Sequence, residues 1–415
     1  MAYNERKELI MQLEECRQSK IITLIISDRV STVPFQGINA QIAPDQVPQI
    51  IEHLKMFVEK GCNLDKIELL LYSRGGDINT AWQLVNTIRN YTPKFNVLIP
   101  VHAHSSATLI SLGANEIVMT KTASLSPVDP TVANAFNPKE NNASLGISVE
   151  DVTSFFNLAK DKDRAAINGE NNLTEVFKSL VDKVHPLALG NVKRSHTQIR
   201  LLSKKLLGLH LSGDETSKID GIVDELTEKL YTHYHLIYRE EAKNLGLSNV
   251  VKSDGPEEEL LWKIYKDYES EMKLKEIFDL PAFMGVEKNK EFENTTILIE
   301  STESSSAYKI KQTIKKILAQ DYNHRLQVAA AMSQYSINAA NLKTQISQIR
   351  LNASQVAAQI TSFIQQGNQQ FAGILSNLQA IENQTSTLIN SIANDLDITD
   401  LQILYEGLIQ KIGWS

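Results

Sequence analysis

Two strand-to-helix turns carry the residue types that acyl transfer requires. The first, Ser73-Arg74-Gly75-Gly76-Asp77, follows the apolar run 67–72 and precedes helical periodicity over 80–90. The second, His104-Ser105-Ser106-Ala107-Thr108, follows the run 96–103 and opens another helix. A Gly-Gly step lets backbone N–H groups approach a bound carbonyl, where they stabilise the oxyanion formed on attack. A serine at a strand-to-helix junction presents its hydroxyl near the positive end of the helix. Singly, a Gly-Gly after a strand is an ordinary tight turn, and a serine before a helix an ordinary N-cap. Together they form the two halves of an acyl-transfer site, with Ser105 and Ser106 both available as nucleophile.

The elements that must position these turns alternate along the chain. A charged opening helix precedes the run 21–27, whose almost continuous apolar character predicts a strand covered on both faces. Residues 38–44 are turn-like, and 48–60 place apolar residues at helical spacing before the 67–72 strand. Helices alternating with buried strands predict an α/β fold. Further on, 134–145 reads as a loop over the site, 149–160 as a helix and 173–209 as helical, while 226–251 closes the domain. Charge density then rises over 253–323, with a helix expected at 257–278, a strand at 295–300 and a basic helix around 309–318.

Composition removes several classes of function. A net charge of −7 over 415 residues, with no basic stripe, argues against a nucleic-acid partner. Two cysteines, Cys16 and Cys62, give neither a disulfide framework nor a metal-ligand spacing, which suits a reducing cytoplasm. The charged amino terminus lacks the apolar core of a secretory signal, and no apolar run approaches the roughly 18 residues of a membrane span. No membrane anchor is therefore expected. No Walker-type loop occurs, so no ATPase is expected, and no metal or other cofactor is expected either. The pairs His102/His104 and His233/His235 have strand-like spacing but no carboxylate or cysteine motif beside them.

The two turns, taken with their flanking residues, resemble the serine dehydrogenase proteinase family, Clp-fold serine peptidases related to the signal peptide peptidase group. The resemblance lies in Leu70-Leu71-Tyr72-Ser73-Arg74-Gly75-Gly76-Asp77, in the stretch from Ser105-Ser106-Ala107-Thr108 to Met119, and in Leu125-Ser126-Pro127-Val128-Asp129-Pro130. Further blocks around His185-Pro186 and Glu241-Ala242 extend it over residues 1–252. It implies a Clp/crotonase-like superfold of repeated βαβ units, ATP-independent cleavage of a peptide or protein substrate, and a homo-oligomer. It also implies Ser105 as nucleophile, because the step of eight to Gly113 fits the family's Ser-Ala-Gly-Thr box from Ser105. Ala107 replaces a glycine of that box. Oxyanion donors, on this resemblance, are the N–H groups of Gly75 or Gly76 and of Ser106. Arg74 stands where Clp proteases usually carry a proline, as a solvated side chain or one that binds a carboxylate or another subunit.

The base that activates the serine has competing candidates. Clp proteases place a histidine in the neighbourhood that here reads Leu125-Ser126-Pro127-Val128. Signal peptide peptidase relatives use a lysine from a later helix, which points to Lys160, with Lys162 behind it; burial would lower its pKa. His233 is the other candidate, beside Tyr234, which falls where Clp proteases place the triad aspartate. His185 reads as a helix-start contact. A scaffold that has lost its base, and a crotonase-like acyl-CoA enzyme, are the alternatives to a peptidase.

After His324 the composition turns to Gln, Asn, Ser and Ala. Leu342, Ile346, Ile349, Ala353, Val356, Ile360 and Phe363, continuing from Phe371 to Leu396, alternate steps of four and three with two stutters. This predicts a C-terminal α-helical coiled coil over 341–396 that docks a second copy or a helical protein partner, or else a helix pair packed on the core. The implied domains are 1–252, a connector at 253–323, and the helical region 324–415. Helices draw most of their stability from packing an apolar face. Truncation after Asn323 should therefore lower the oligomeric mass or abolish partner capture while the 1–252 core stays folded. Light scattering that gave identical subunit counts, with identical captured partners, would mean that the seam packs only on its own chain.

Overall fold

The computed structural model describes residues 3–128, 170–229 and 235–315, with shorter pieces between 131 and 159, between 341 and 384, and at 411–414. Helix α1 (Tyr3–Arg17) leads into β1 (Lys20–Ile26), then α2 (Gln46–Glu59), β2 (Lys66–Tyr72), α3 (Ile78–Arg89) and β3 (Lys94–Ile99). Next come β4 (His102–Ala103), α4 (Ser106–Leu112), β5 (Glu116–Met119) and β6 (Ser124–Leu125). The later elements are α5 (Glu170–Val181), α6 (Pro186–Leu207), α7 (Ile219–Asp224), β7 (Ile237–Tyr238), α8 (Arg239–Asn244), β8 (Val250–Lys252), α9 (Gly255–Glu271), β9 (Asn289–Glu300), β10 (Ser305–Lys315) and β11 (Lys411–Trp414).

An eight-stranded sheet runs β8-β5-β3-β2-β1-β9-β10-β11. The pairs β8–β5, β5–β3, β3–β2 and β2–β1 are parallel, whereas β1–β9 is antiparallel. The parallel strands read as unbroken apolar runs because period two sends alternate residues to two cores. Ile22, Leu24, Leu69 and Leu71 face the α2, α3 and α4 side, while Ile21, Ile25, Leu70 and Tyr72 face α1 and α9. A second sheet, β7-β6-β4, stands at the carboxyl end of this layer.

The expected strand 96–103 is two strands, β3 and β4, split at Pro100, which has no N–H for a ladder. The Pro100 carbonyl accepts the Thr120 hydroxyl at 2.7 Å, and β4 leaves the large sheet to pair with β6. The helical pattern 173–209 is likewise broken before Pro186, where the preceding residue is driven from the α region. There His185 Nδ1 accepts the Leu187 N–H at 3.1 Å, the helix-start contact expected from sequence. The basic helix expected around 309–318 is instead strand β10 over its described part. Lys309, Lys311 and Lys315 are exposed while Gln312 and Ile314 are buried, a strand-like separation of faces.

The chain divides into two compact units, Met1–Phe283 with Glu293–Ile310 and Ile412–Ser415, and Met284–Phe292 with Lys311–Lys411. In the second unit the described positions between 341 and 384 are helical. Val356 alone of the expected seam lies among the described residues, and it is exposed. No helix among the described residues is long and apolar enough to cross a membrane.

A buried ionic cluster ties α1 to α9 and β9. Arg6 holds Glu300 with both prongs, Nε to Oε2 at 2.6 Å and Nη2 to Oε1 at 2.7 Å. Its Nη1 bonds Asp267, and Glu271 at 2.7 Å, above the Tyr268 ring 4.3 Å away. Removing one partner of such a buried network leaves uncompensated charge, typically at a cost of about 3–5 kcal/mol. Arg6→Ala should therefore lower the urea-unfolding free energy by about that much. A loss below about 1 kcal/mol, the usual worth of an exposed pair, would mean the cluster does not hold α9 in place.

Candidate functional site

The two turns meet at the carboxyl ends of the parallel strands, where ligands bind in open α/β sheets. Beyond β2, Ser73 bridges Ala103 of β4 in parallel: the Ser73 N–H donates to His102 O at 3.3 Å and the His104 N–H to Ser73 O at 2.9 Å. This register sets the Gly-Gly turn against the Ser105 turn. Gly75 has φ 107°, and a Cβ there would lie 2.7 Å from Ser105 Cβ and 2.8 Å from His104 O. A Cβ on Gly76 would lie 2.3 Å from Ile42 O. The Ile42 N–H donates to Gly75 O and the Asp77 N–H to Ile42 O, each at 2.8 Å. Asp77 then caps α3 by accepting the Thr80 N–H at 2.7 Å.

Ser105 sits at φ 54°, ψ −118°, a setting that non-glycine residues seldom adopt. It is half-buried and its hydroxyl has no hydrogen-bond partner among the described residues, whereas Ser106 is fully buried. The Gly75 N–H donates to Ser73 Oγ at 2.9 Å. Among the described residues nothing accepts the N–H of Gly76 or of Ser106. The Ser105 N–H donates to Ser126 Oγ at 2.8 Å.

Behind the turns lies a cluster that sequence reasoning did not assemble. Asp28, just past β1, accepts the Tyr72 hydroxyl at 2.9 Å and Arg74 Nε at 2.8 Å. Arg74, read from sequence as solvated or as free to bind a carboxylate, is thus exposed but tied to Asp28. His102 Nε2 lies 3.5 Å from the same carboxylate without making a hydrogen bond. Burial, then the neighbouring His104, Arg74 and Lys275 charges, push the His102 pKa well below the usual histidine range, so the ring is neutral. Its ring stacks on His104 at 4.7 Å, and His104 Nε2 bonds Ser124 Oγ at 2.9 Å.

Gly75 thus lies against Ser105 and Ser106, and Gly76 in the same turn lies against Ile42. The candidate bases His233 and Lys160, with Lys162 and Tyr234, lie outside the described residues. His235 is described, half-exposed and bonded to Glu241 Oε1 at 2.6 Å. Ser73, Thr108 and Ser126 were missed as parts of the site. All three stand inside the quoted motifs, and their position was the only available signal. An open groove of about 810 Å³ lies elsewhere, lined by Lys7, Met11, Lys20, Lys66 and Glu303 at the amino ends of β1 and β2.

Residues 1–184 match the family described as ClpP-like SDH-type serine proteinase. Among curated proteins, the uncharacterized MJ0137 of Methanocaldococcus jannaschii is 27% identical over 265 residues, covering 63% of this chain and 78% of that protein. The uncharacterized MJ1495 of the same organism is 29% identical over 136 residues, 32% of this chain and 44% of that protein. Among solved structures, a mutant of the membrane-bound stomatin-specific protease 1510-N with a substrate peptide aligns at 16% identity and a TM-score of 0.32, covering 52% of this chain and 73% of that one. A second mutant of the same protease aligns at 15% identity and a TM-score of 0.31, covering 52% of this chain and 77% of that one. The segment that is similar to this family, 184 of the 415 residues, contains both turns and Ser105.

Proposed function

We propose that the protein is an ATP-independent serine peptidase in which Ser105 attacks the scissile carbonyl. The observation that carries this reading is the strained, half-buried Ser105 packed on Gly75, with the N–H groups of the adjoining Ser106 and of Gly76 lacking an acceptor among the described residues. Ser105 Oγ bonds the carbonyl carbon, the base takes the hydroxyl proton, and the oxyanion is held by the Ser106 and Gly76 N–H groups. Collapse expels the amine with that proton, and water then hydrolyses the ester to regenerate Ser105. Gly75 serves by having no side chain, since its own N–H is spent on Ser73. His233 or Lys160 supplies the base. The substrate is a peptide or protein, and assembly proceeds through a homo-oligomer with the 341–396 helices as a docking element, in the cytoplasm.

A fluorophosphonate probe tests the reading. Ser105→Ala should abolish labelling and peptide cleavage in a folded protein, and Ser106→Ala should not; equal labelling of wild type and Ser105→Ala removes Ser105 from the mechanism. The pH profile separates the bases. A histidine base must be neutral to act, so activity falls as pH drops through about 6.5, whereas a lysine base gives activity that climbs towards alkaline pH. Full activity in both His233→Ala and Lys160→Ala would exclude both.

The contact under Ser105 gives a separate outcome. Gly75→Ala should slow labelling by about a hundredfold, because displacing the nucleophile by an ångström costs roughly that. Wild-type labelling rates in Gly75→Ala would show that the close approach plays no part in presenting Ser105.

A further inference from the structure

Ser105 holds a backbone setting that a serine leaves unless its surroundings enforce it, since such settings cost about 1–3 kcal/mol. Gly75 closes one side by contact. The other side is closed by a hydrogen bond: the Ser105 N–H donates to Ser126 Oγ at 2.8 Å. A serine hydroxyl has one proton and two lone pairs. Ser126 spends its proton on Pro127 O at 3.0 Å, which leaves the oxygen to accept from Ser105.

Ser126 is itself fixed. Its N–H donates to Thr108 Oγ1 at 3.2 Å, and Thr108 Oγ1 reaches Ser126 O at 3.0 Å and Ala103 O at 2.9 Å. The backbone of β4, the first turn of α4 and the end of β6 are thereby closed into one ring around Ser105. Ser126 and Thr108 are both buried, so solvent is a poor substitute for either hydroxyl.

We propose that Ser126 is a positioning residue for Ser105: its hydroxyl holds the Ser105 amide, so that the Ser105 Oγ and the next N–H, that of Ser106, face a substrate carbonyl together. This rests on the peptidase reading above. With the tie removed, the Ser105 amide loses its acceptor, φ relaxes towards negative values, and both groups leave the site. The effect falls on the reacting geometry and spares the initial binding of a ligand.

Saturation kinetics of fluorophosphonate labelling on the full chain test this, because they separate the limiting rate from the half-saturating probe concentration. For Ser126→Ala the limiting rate should fall about tenfold or more while the half-saturating concentration stays within about twofold. Ser126→Thr, which keeps the hydroxyl, should recover at least part of the rate. Thr23→Val removes a buried hydroxyl that bonds the Tyr268 hydroxyl and should label like wild type. A folded Ser126→Ala protein with the wild-type limiting rate overturns the proposal, as does an equal loss in Thr23→Val. Should Ser126→Ala fail to fold, Thr108→Val unties Ser126 at nearly constant volume; a lowered limiting rate supports the proposal and an unchanged rate overturns it. A folded wild type that the probe does not label overturns the peptidase reading itself, and this proposal with it.

Discussion

The approach of Gly75 to Ser105 leaves no space for a side chain, since a Cβ on Gly75 would lie 2.7 Å from the Ser105 Cβ. That contact exists only if two chain segments arrive side by side with their turns in register. The Ser73 bridge to Ala103 provides the register, and it needs β4 to run beside the end of β2. Strand β4 gets there because Pro100 ends β3 and the chain steps out of the large sheet to pair with β6. The parallel strands matter to the site chiefly as rails that deliver both turns to one edge.

Electrostatics is handled differently at the two ends of these strands. At the amino ends, charges are paired: Arg17 Nη2 bonds the buried Glu68 at 2.6 Å and Glu116 at 3.3 Å, and its Nη1 bonds Glu257 at 3.1 Å. Asn96 and Ser19 fill the remaining Glu68 acceptor sites. Pairing of this kind fixes geometry but leaves nothing free to react. Around Ser105 the buried polar groups are hydroxyls, backbone amides and the neutral His102 ring. A developing negative charge there would meet oriented dipoles, the arrangement in which N–H donors are most effective. Asp28 is the nearby carboxylate, and it is already bound to Tyr72 and Arg74.

Sequence conveyed what depends on pattern and missed what depends on convergence. Strands 21–27 and 67–72 were legible because apolar residues on both faces leave a continuous run, and Gly75, Gly76 and Ser105 because their spacing is local. Strand β10 was misread as a helix because its lysines suggested a solvated helical face; its pairing beside β9 is a tertiary fact. The Arg6 cluster joins residues 261 and 294 positions apart, a coincidence no window of sequence contains. Ser126 was read only for not being histidine. Its role as an acceptor for the Ser105 amide follows from the pairing of β4 with β6, which residue types alone do not announce.

The strain at Ser105 favours the proposed peptidase over a scaffold that merely retains the fold. A serine at φ 54° is held at a cost of about 1–3 kcal/mol, which glycine at the same position would largely avoid. The N–H of the fully buried Ser106, which has no acceptor among the described residues, adds to that cost, because polar groups withdrawn from water destabilise when unmatched. For a scaffold each of these is a pure loss, relieved by small changes that leave the strands untouched. For acyl transfer the same features are the requirements: a hydroxyl held off its helix, and donors reserved for an oxygen that becomes charged only during reaction. Stability is thus given up at the edge where the strands deliver the proposed nucleophile, and burial in the two apolar cores offsets it.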